Sequence, residues 1–170
     1  MIYRDATPAD WAALDAMARA SWIETFAHSC SADDLALYLG QAFGPEGQLR
    51  RDMDDAALRI RLALDGDEVV GFAKLAPVSL DEVVTSEQDR QLGQLYVLKR
   101  WQGEGVAATL MEWAIATARE HGADALFLTV WEENGRALRF YQRYGFVHVG
   151  DHAFPVGNQV DRDLIMRLTL

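Results

Sequence analysis

Between residues 91 and 131 the chain offers an apolar strand, a turn with two glycines one residue apart, an amphipathic stretch of helical period and a second apolar strand, with no other element between them. A strand, a helix and a further strand in that order pack as a parallel pair joined by a right-handed crossover, and this constrains the fold more than any other feature of the sequence. Residues 91–98 supply the first strand and run through Gly103-Glu104-Gly105 into a helix expected over 106–121, where Val106, Leu110, Trp113, Ala114 and Thr117 share one face. His121-Gly122-Ala123-Asp124 stops that helix, and residues 125–131 are an apolar, partly β-branched run that reads as a buried strand. A helix start leaves its first backbone N–H groups without partners and carries about half a positive charge, so it attracts phosphate. Gly103 and Gly105 would let the main chain approach such an anion closely. The same glycine pair also serves a plain strand-to-helix bend, and on spacing alone both readings stand.

The rest of the chain supplies the flanks. A short strand is expected over residues 2–6, then Thr7-Pro8-Ala9-Asp10 opens a helix in which Trp11, Leu14, Asp15, Ala18 and Trp22 form a stripe, with Glu24, Thr25 and His28 near its end. Ser31, with Asp34 as its capping partner, starts a second helix, and 48–57 is helix-compatible. Alternation of Leu58, Ile60, Leu62 and Leu64, the turn Asp65-Gly66-Asp67-Glu68 and the apolar run 69–76 predict an antiparallel hairpin. Residues 77–90 read as a polar surface loop bordering a cleft, 135–144 as a helix closed by Gly145, and 146–150 and 164–170 as two last strands separated by a loop over 151–163.

With 170 residues, half of them hydrophobic, the chain is sized for one domain, 1–170, with a substantial core. The net charge of −10, from 26 acidic and 16 basic residues, favours small cationic partners and argues against nucleic acid. A single cysteine, Cys30, excludes a disulfide framework or a cysteine-rich metal site within one chain; it reads as packing in a reduced compartment. No signal-peptide core and no membrane-length apolar run are visible, so the expectation is a cytoplasmic protein that needs no membrane and no metal.

The glycine turn does not match a P-loop or a Rossmann turn. It reads Gln102-x-x-Gly105-x-Ala107 after the strand residues Leu95-Tyr96-Val97, and further on stands Asn134-x-x-Ala137-x-x-Phe140-Tyr141-x-x-x-Gly145-Phe146. In order and spacing the two segments resemble the pyrophosphate loop and the Asn…Phe-Tyr…Gly-Phe signature of the GNAT superfamily of N-acetyltransferases. The likeness covers roughly residues 58–150, and the ending 151–166 is similar to the polyamine and small-amine branch. The resemblance implies a mixed, mostly antiparallel central sheet of six to seven strands with a splayed parallel pair and helices on both faces. It implies acetyl-CoA as co-substrate, with the main chain at Tyr96, Val97 and Leu98 pairing with the pantetheine arm. The amides of Gln102, Gly103, Glu104, Gly105, Val106 and Ala107 would hold the pyrophosphate, Asn134 would both cap its helix and bind pantetheine, and Tyr141 would protonate the departing thiolate. Relatives of this kind are often homodimers.

The inferred reaction is direct attack of a neutral amine on the thioester, through an oxyanion held by a backbone N–H near Val97. An alkylamine of pKa near 10.4 is neutral in only about one molecule in a few thousand at pH 7, so a base is required. Many members of the superfamily carry a glutamate on the strand before the glycine turn, where this chain has Gln91 and Gln94. Glu24 and His28, near the end of the first helix, are the substitutes that the sequence offers, with Tyr96 and His152 as weaker ones, and each also reads as a surface or packing residue. Three competitors to small-amine acetylation stay open at this point: acetylation of peptide N-termini or protein lysines, a non-catalytic CoA-binding or sensing module, and a nucleotide-binding protein using the same turn for ATP.

Overall fold

The computed structural model describes all residues, Met1–Leu170. Its elements in chain order are β1 (Ile2–Asp5), α1 (Trp11–Phe26), α2 (Ala32–Ala42), α3 (Gln48–Asp54), β2 (Arg59–Asp65), β3 (Glu68–Pro77), β4 (Arg90–Val97), α4 (Val106–Glu120), β5 (Ala125–Trp131), α5 (Gly135–Arg143), β6 (Val147–Val156) and β7 (Gln159–Thr169). The strands form one seven-stranded sheet in the order β1-β2-β3-β4-β5-β7-β6. Only β4 and β5 run parallel, as the strand–helix–strand order requires, and every other neighbouring pair is antiparallel. No helix is long and apolar enough to cross a membrane.

Two apolar layers cover the two faces of the sheet. On one side Val106, Leu110, Met111, Ala114 and Ala118 of α4 pack on Ala63, Ala73, Val97, Leu126 and Leu128. On the other, Leu14, Met17, Ala18 and Trp22 of α1 join Leu39 of α2 and Leu49 of α3 over Leu62, Leu64 and Phe72. The caps expected from sequence hold these helices in place. The Ser31 side chain accepts the Asp34 N–H at the start of α2, and the Asn134 side chain accepts the Ala137 N–H at the start of α5.

Two expectations need correction. Residues 151–163 are not a loop: β6 and β7 continue through them as a long hairpin, paired from Val147–Arg167 to Val156–Gln159 and closed at Gly157, whose φ of 60° suits a tight turn. Pro155 is tolerated because β6 is the sheet's edge, where a missing N–H breaks no second ladder. The segment 77–90 does not border the main cleft. It folds over β5 and β7, where Leu80 packs with Ala125, Phe127 and Ile165, and the buried Asp89 carboxylate accepts the Ala125 N–H at 2.9 Å.

Candidate active site

The cleft arises because β4 and β5 stay together for only a short distance. Their register holds at Arg90–Leu126 and Gln91–Phe127, and beyond it the strands part. Within β4 the register with β3 jumps from Leu75–Leu92 to Lys74–Gln94, so Gly93 is an extra residue in the strand. The bulge resets the alternation of side chains. Leu92, Leu95 and Val97 pack in the α4 layer, while Tyr96 belongs to the layer under α1 and Gln94 is directed into the cleft. An isolated glycine inside a strand was the available signal for this feature.

One cavity fills the splay. Its lining includes Gln94 to Val97 of β4, Thr129 to Trp131 of β5, Asn134 and Tyr141 at the start and second turn of α5, and Asp161 and Asp163 of β7. Part of its remaining wall is aromatic, from Trp22, Phe26 and Phe154. Trp22 stacks on Tyr38 at 4.2 Å between ring centroids, Phe26 lies 5.1 Å from Trp22 and 6.0 Å from Trp131, and Phe154 lies 5.8 Å from Tyr38.

At one end the cavity reaches Gln102, the residue that leads into the glycine turn. Gly103 and Gly105 have φ values of 95° and 81°, so both occupy the left-handed region that L side chains avoid. The backbone N–H groups of Gly103, Gly105, Val106 and Ala107 have no partner within the protein, and no side chain caps α4. Two amides of the expected set are engaged instead. Gln102 donates its N–H to the Lys99 carbonyl at 3.2 Å and Glu104 to the Trp101 carbonyl at 3.4 Å, because the chain closes tight turns just before the glycines. The Gln102 side chain donates to the Val97 carbonyl at 3.0 Å and so fastens the turn to the end of β4, while Leu98 gives its N–H to Val70 of β3.

Tyr141 and Asn134, two helical turns apart, both reach the cavity. Burial raises the Tyr141 phenol well above its ordinary pKa, neighbouring Tyr96 adds to the rise and Arg136 opposes it, so the group holds its proton at neutral pH. Glu24 is placed otherwise. Its carboxylate accepts the Lys99 N–H at 2.9 Å, where it caps the short helical turn over Lys99–Trp101, and it is not among the residues lining the cavity. His152 faces Glu82 at 2.6 Å, and His28 lies near Trp131, 6.1 Å between ring centroids, beside a second hollow. Cys30 packs at the margin of the α1 layer, and burial raises its thiol pKa, which makes it a poorer nucleophile.

Asp163 also lines the cavity, a residue that no sequence motif marked. Its carboxyl is buried, at 6% exposure, on a strand that the sequence suggested was loop. Burial pushes it up to about 6 against the pull of Thr129 and His152, with the Asp161 charge adding to the rise. The period-two spacing of Asp161 and Asp163 was the signal that could have placed both on one face of a strand.

A strand edge and a phenol in one gap between parting parallel strands, with a helix start carrying open donors just beyond Gln102, define an α/β protein of the acyl-transfer type. The chain belongs to the GNAT family of acetyltransferases, whose family model matches residues 11–146. Among its relatives is an uncharacterised N-acetyltransferase of Lactobacillus delbrueckii subsp. lactis, 27% identical over 158 residues that span 91% of this chain and 89% of the relative. The fold is similar to that of the PaiA N-acetyltransferase of Thermoplasma acidophilum, solved in complex with coenzyme A, with a TM-score of 0.78, 20% identity, and coverage of 99% and 98% of the two chains. It is also similar to YncA of Salmonella typhimurium, solved with acetyl-CoA, with a TM-score of 0.69, 19% identity, and coverage of 100% and 94%.

Proposed function

We propose that the protein transfers the acetyl group of acetyl-CoA to a small primary amine, polyamines included, in a ternary complex without a covalent enzyme intermediate. One observation carries the reading: a single cavity runs from Gln102, the residue just before the glycine turn and its open donors, past the Tyr141 phenol, to a partly aromatic wall with two carboxylates. The structures of the Thermoplasma and Salmonella proteins with coenzyme A and acetyl-CoA support the donor. The pyrophosphate rests against the amides of Gly103, Gly105, Val106 and Ala107, where no protein acceptor competes. The pantetheine arm follows β4 at Tyr96 and Val97, on the side where β4 has parted from β5, while the Leu98 N–H is held by Val70; Asn134 meets the arm from α5.

The acceptor end argues for a cation. Trp22, Phe26 and Trp131 offer ring faces to an ammonium, and Asp161 and Asp163 supply the negative field. The amine nitrogen attacks the thioester carbonyl, a backbone N–H near Val97 stabilises the oxyanion, and Tyr141 gives its proton to the sulfur as the carbon–sulfur bond breaks. The test is incubation with acetyl-CoA and a panel of alkylamines, polyamines and peptides while thiol release is followed. Release with small amines is the expected result. Release only with peptides would move the acceptor to a peptide N-terminus or lysine, and CoA binding without any transfer would indicate a binding module.

A further inference from the structure

Removal of a proton from the acceptor ammonium has no group assigned to it in this reaction, and two polar groups in the cavity bear on it. Asp163 stands on β7 directly opposite Trp131 of β5 and His152 of β6, and it lines the cavity. The cations nearest to it in sequence and register are engaged elsewhere: Arg162 pairs with Glu132 and Asp151, and His152 with Glu82. Gln94 lines the same cavity from β4, and its Oε1 is buried with no hydrogen-bond donor in the protein. A buried acceptor left without a donor carries its full desolvation penalty, and a ligand N–H that reaches it would remove that penalty.

We propose that Asp163 is the base of the reaction: its carboxylate takes a proton from the ammonium of the bound acceptor while Gln94 Oε1 accepts a second N–H and orients the nitrogen. The inference rests on the amine-acetyltransferase reading and names the base that this reading lacks. The ammonium loses one proton to the carboxylate, leaving a neutral amine and a carboxylic acid. The amine lone pair forms the C–N bond, and the carbonyl π electrons move to oxygen and return as the C–S bond breaks. The thiolate takes the Tyr141 proton, the Tyr141 oxygen recovers one from the acylated nitrogen, and Asp163 releases its proton to water before the next turnover.

The surroundings suit this role. The titratable and charged groups facing Asp163 are Tyr38 from α2, Tyr96 from β4, His152 from β6 and Asp161 from β7, with Tyr141 and Arg136 of α5 across the cavity. Tyr38, Tyr96 and Tyr141 are all raised by burial and stay neutral. Asp163 itself, raised to about 6, is mostly ionised at pH 7 and is a stronger base than an ordinary carboxylate. Removing water from the ammonium lowers the acceptor's own pKa and narrows the gap between the two groups.

The test compares wild type with Asp163→Asn, using an alkylamine and an O-alkylhydroxylamine, an acceptor that is already neutral at pH 7. For wild type and the alkylamine, kcat/KM rises with pH up to about 6 and then levels, because the enzyme supplies the base. In Asp163→Asn it falls at pH 7 by about 100-fold or more and keeps rising through pH 9, while the O-alkylhydroxylamine loses less than about threefold and CoA affinity is unchanged. Full alkylamine turnover by Asp163→Asn would overturn the assignment. So would a wild-type profile that climbs without levelling, and this second measurement needs no variant that folds. A wild type that transfers to no amine at all would overturn the amine-acetyltransferase reading itself, a result distinct from an active wild type with an active variant.

Discussion

The two ends of the cavity are built differently. At the glycine turn the working groups are main-chain amides and residues from two short segments, and their positions follow from a strand, a positive-φ turn and a helix start. At the other end the working groups are side chains from α1, α2, β5, β6 and β7, joined only when the sheet and helices pack. The first end is general chemistry for holding an anion. The second is particular to this chain, and the choice of acceptor lies there.

Substitutions at the two ends should separate the steps of the reaction. The largest effect after that of Asp163 is expected for Tyr141→Phe, which removes the proton held for the thiolate: kcat should fall by about 100-fold with CoA affinity kept, and undiminished turnover would show that sulfur leaves without this phenol. Gly105→Val forces a β-branched residue into a φ of 81°. That strain of about 1–2 kcal/mol should raise the CoA dissociation constant by roughly 5- to 30-fold in calorimetry and leave KM for the amine little changed. Trp131→Leu removes a ring face from the acceptor end, and KM for a cationic amine should rise by about tenfold while CoA binding holds. The smallest effect is expected for Glu24→Gln. An amide oxygen can still accept the Lys99 N–H, so kcat/KM should change by less than about threefold, whereas a loss near 100-fold would restore Glu24 as the base.

The anion-binding end was largely legible in the amino-acid sequence. The hydrophobic period of residues 91–131 requires the parallel pair, and Gly103, Gly105 and the Asn134 cap act over a few residues, the range in which sequence dictates geometry. The acceptor end was not. Asp161 and Asp163 read as loop because acids interrupt the apolar pattern of β7, and they are tolerated there because their strand face borders a cavity instead of a packed core. Gln94 was legible only as the absence of a carboxylate. Its direction depends on the bulge at Gly93, which turns Leu92 to the α4 layer and leaves Gln94 with the opposite face.

Glu24 illustrates the same limit. Its place near the end of α1 suggested a base beside the acetyl group, yet α1 packs so that Ser21, Trp22, Thr25 and Phe26 meet the cavity and Glu24 meets the turn before the glycines. Helical period fixes which residues share a face, not what that face will meet.

The amino-acid sequence by itself determined the order of elements, the parallel crossover, the open helix start and the caps, since each arises from φ preferences, hydrogen-bond needs and apolar period over short spans. Only the tertiary structure decided that β4 and β5 part after Gln91–Phe127, and that Gln94, Tyr141 and Asp163 line the same gap. Those contacts join residues far apart in the chain, and the packing of the two layers on the sheet, with the bulge in β4 and the long β6–β7 hairpin, is what brings them together.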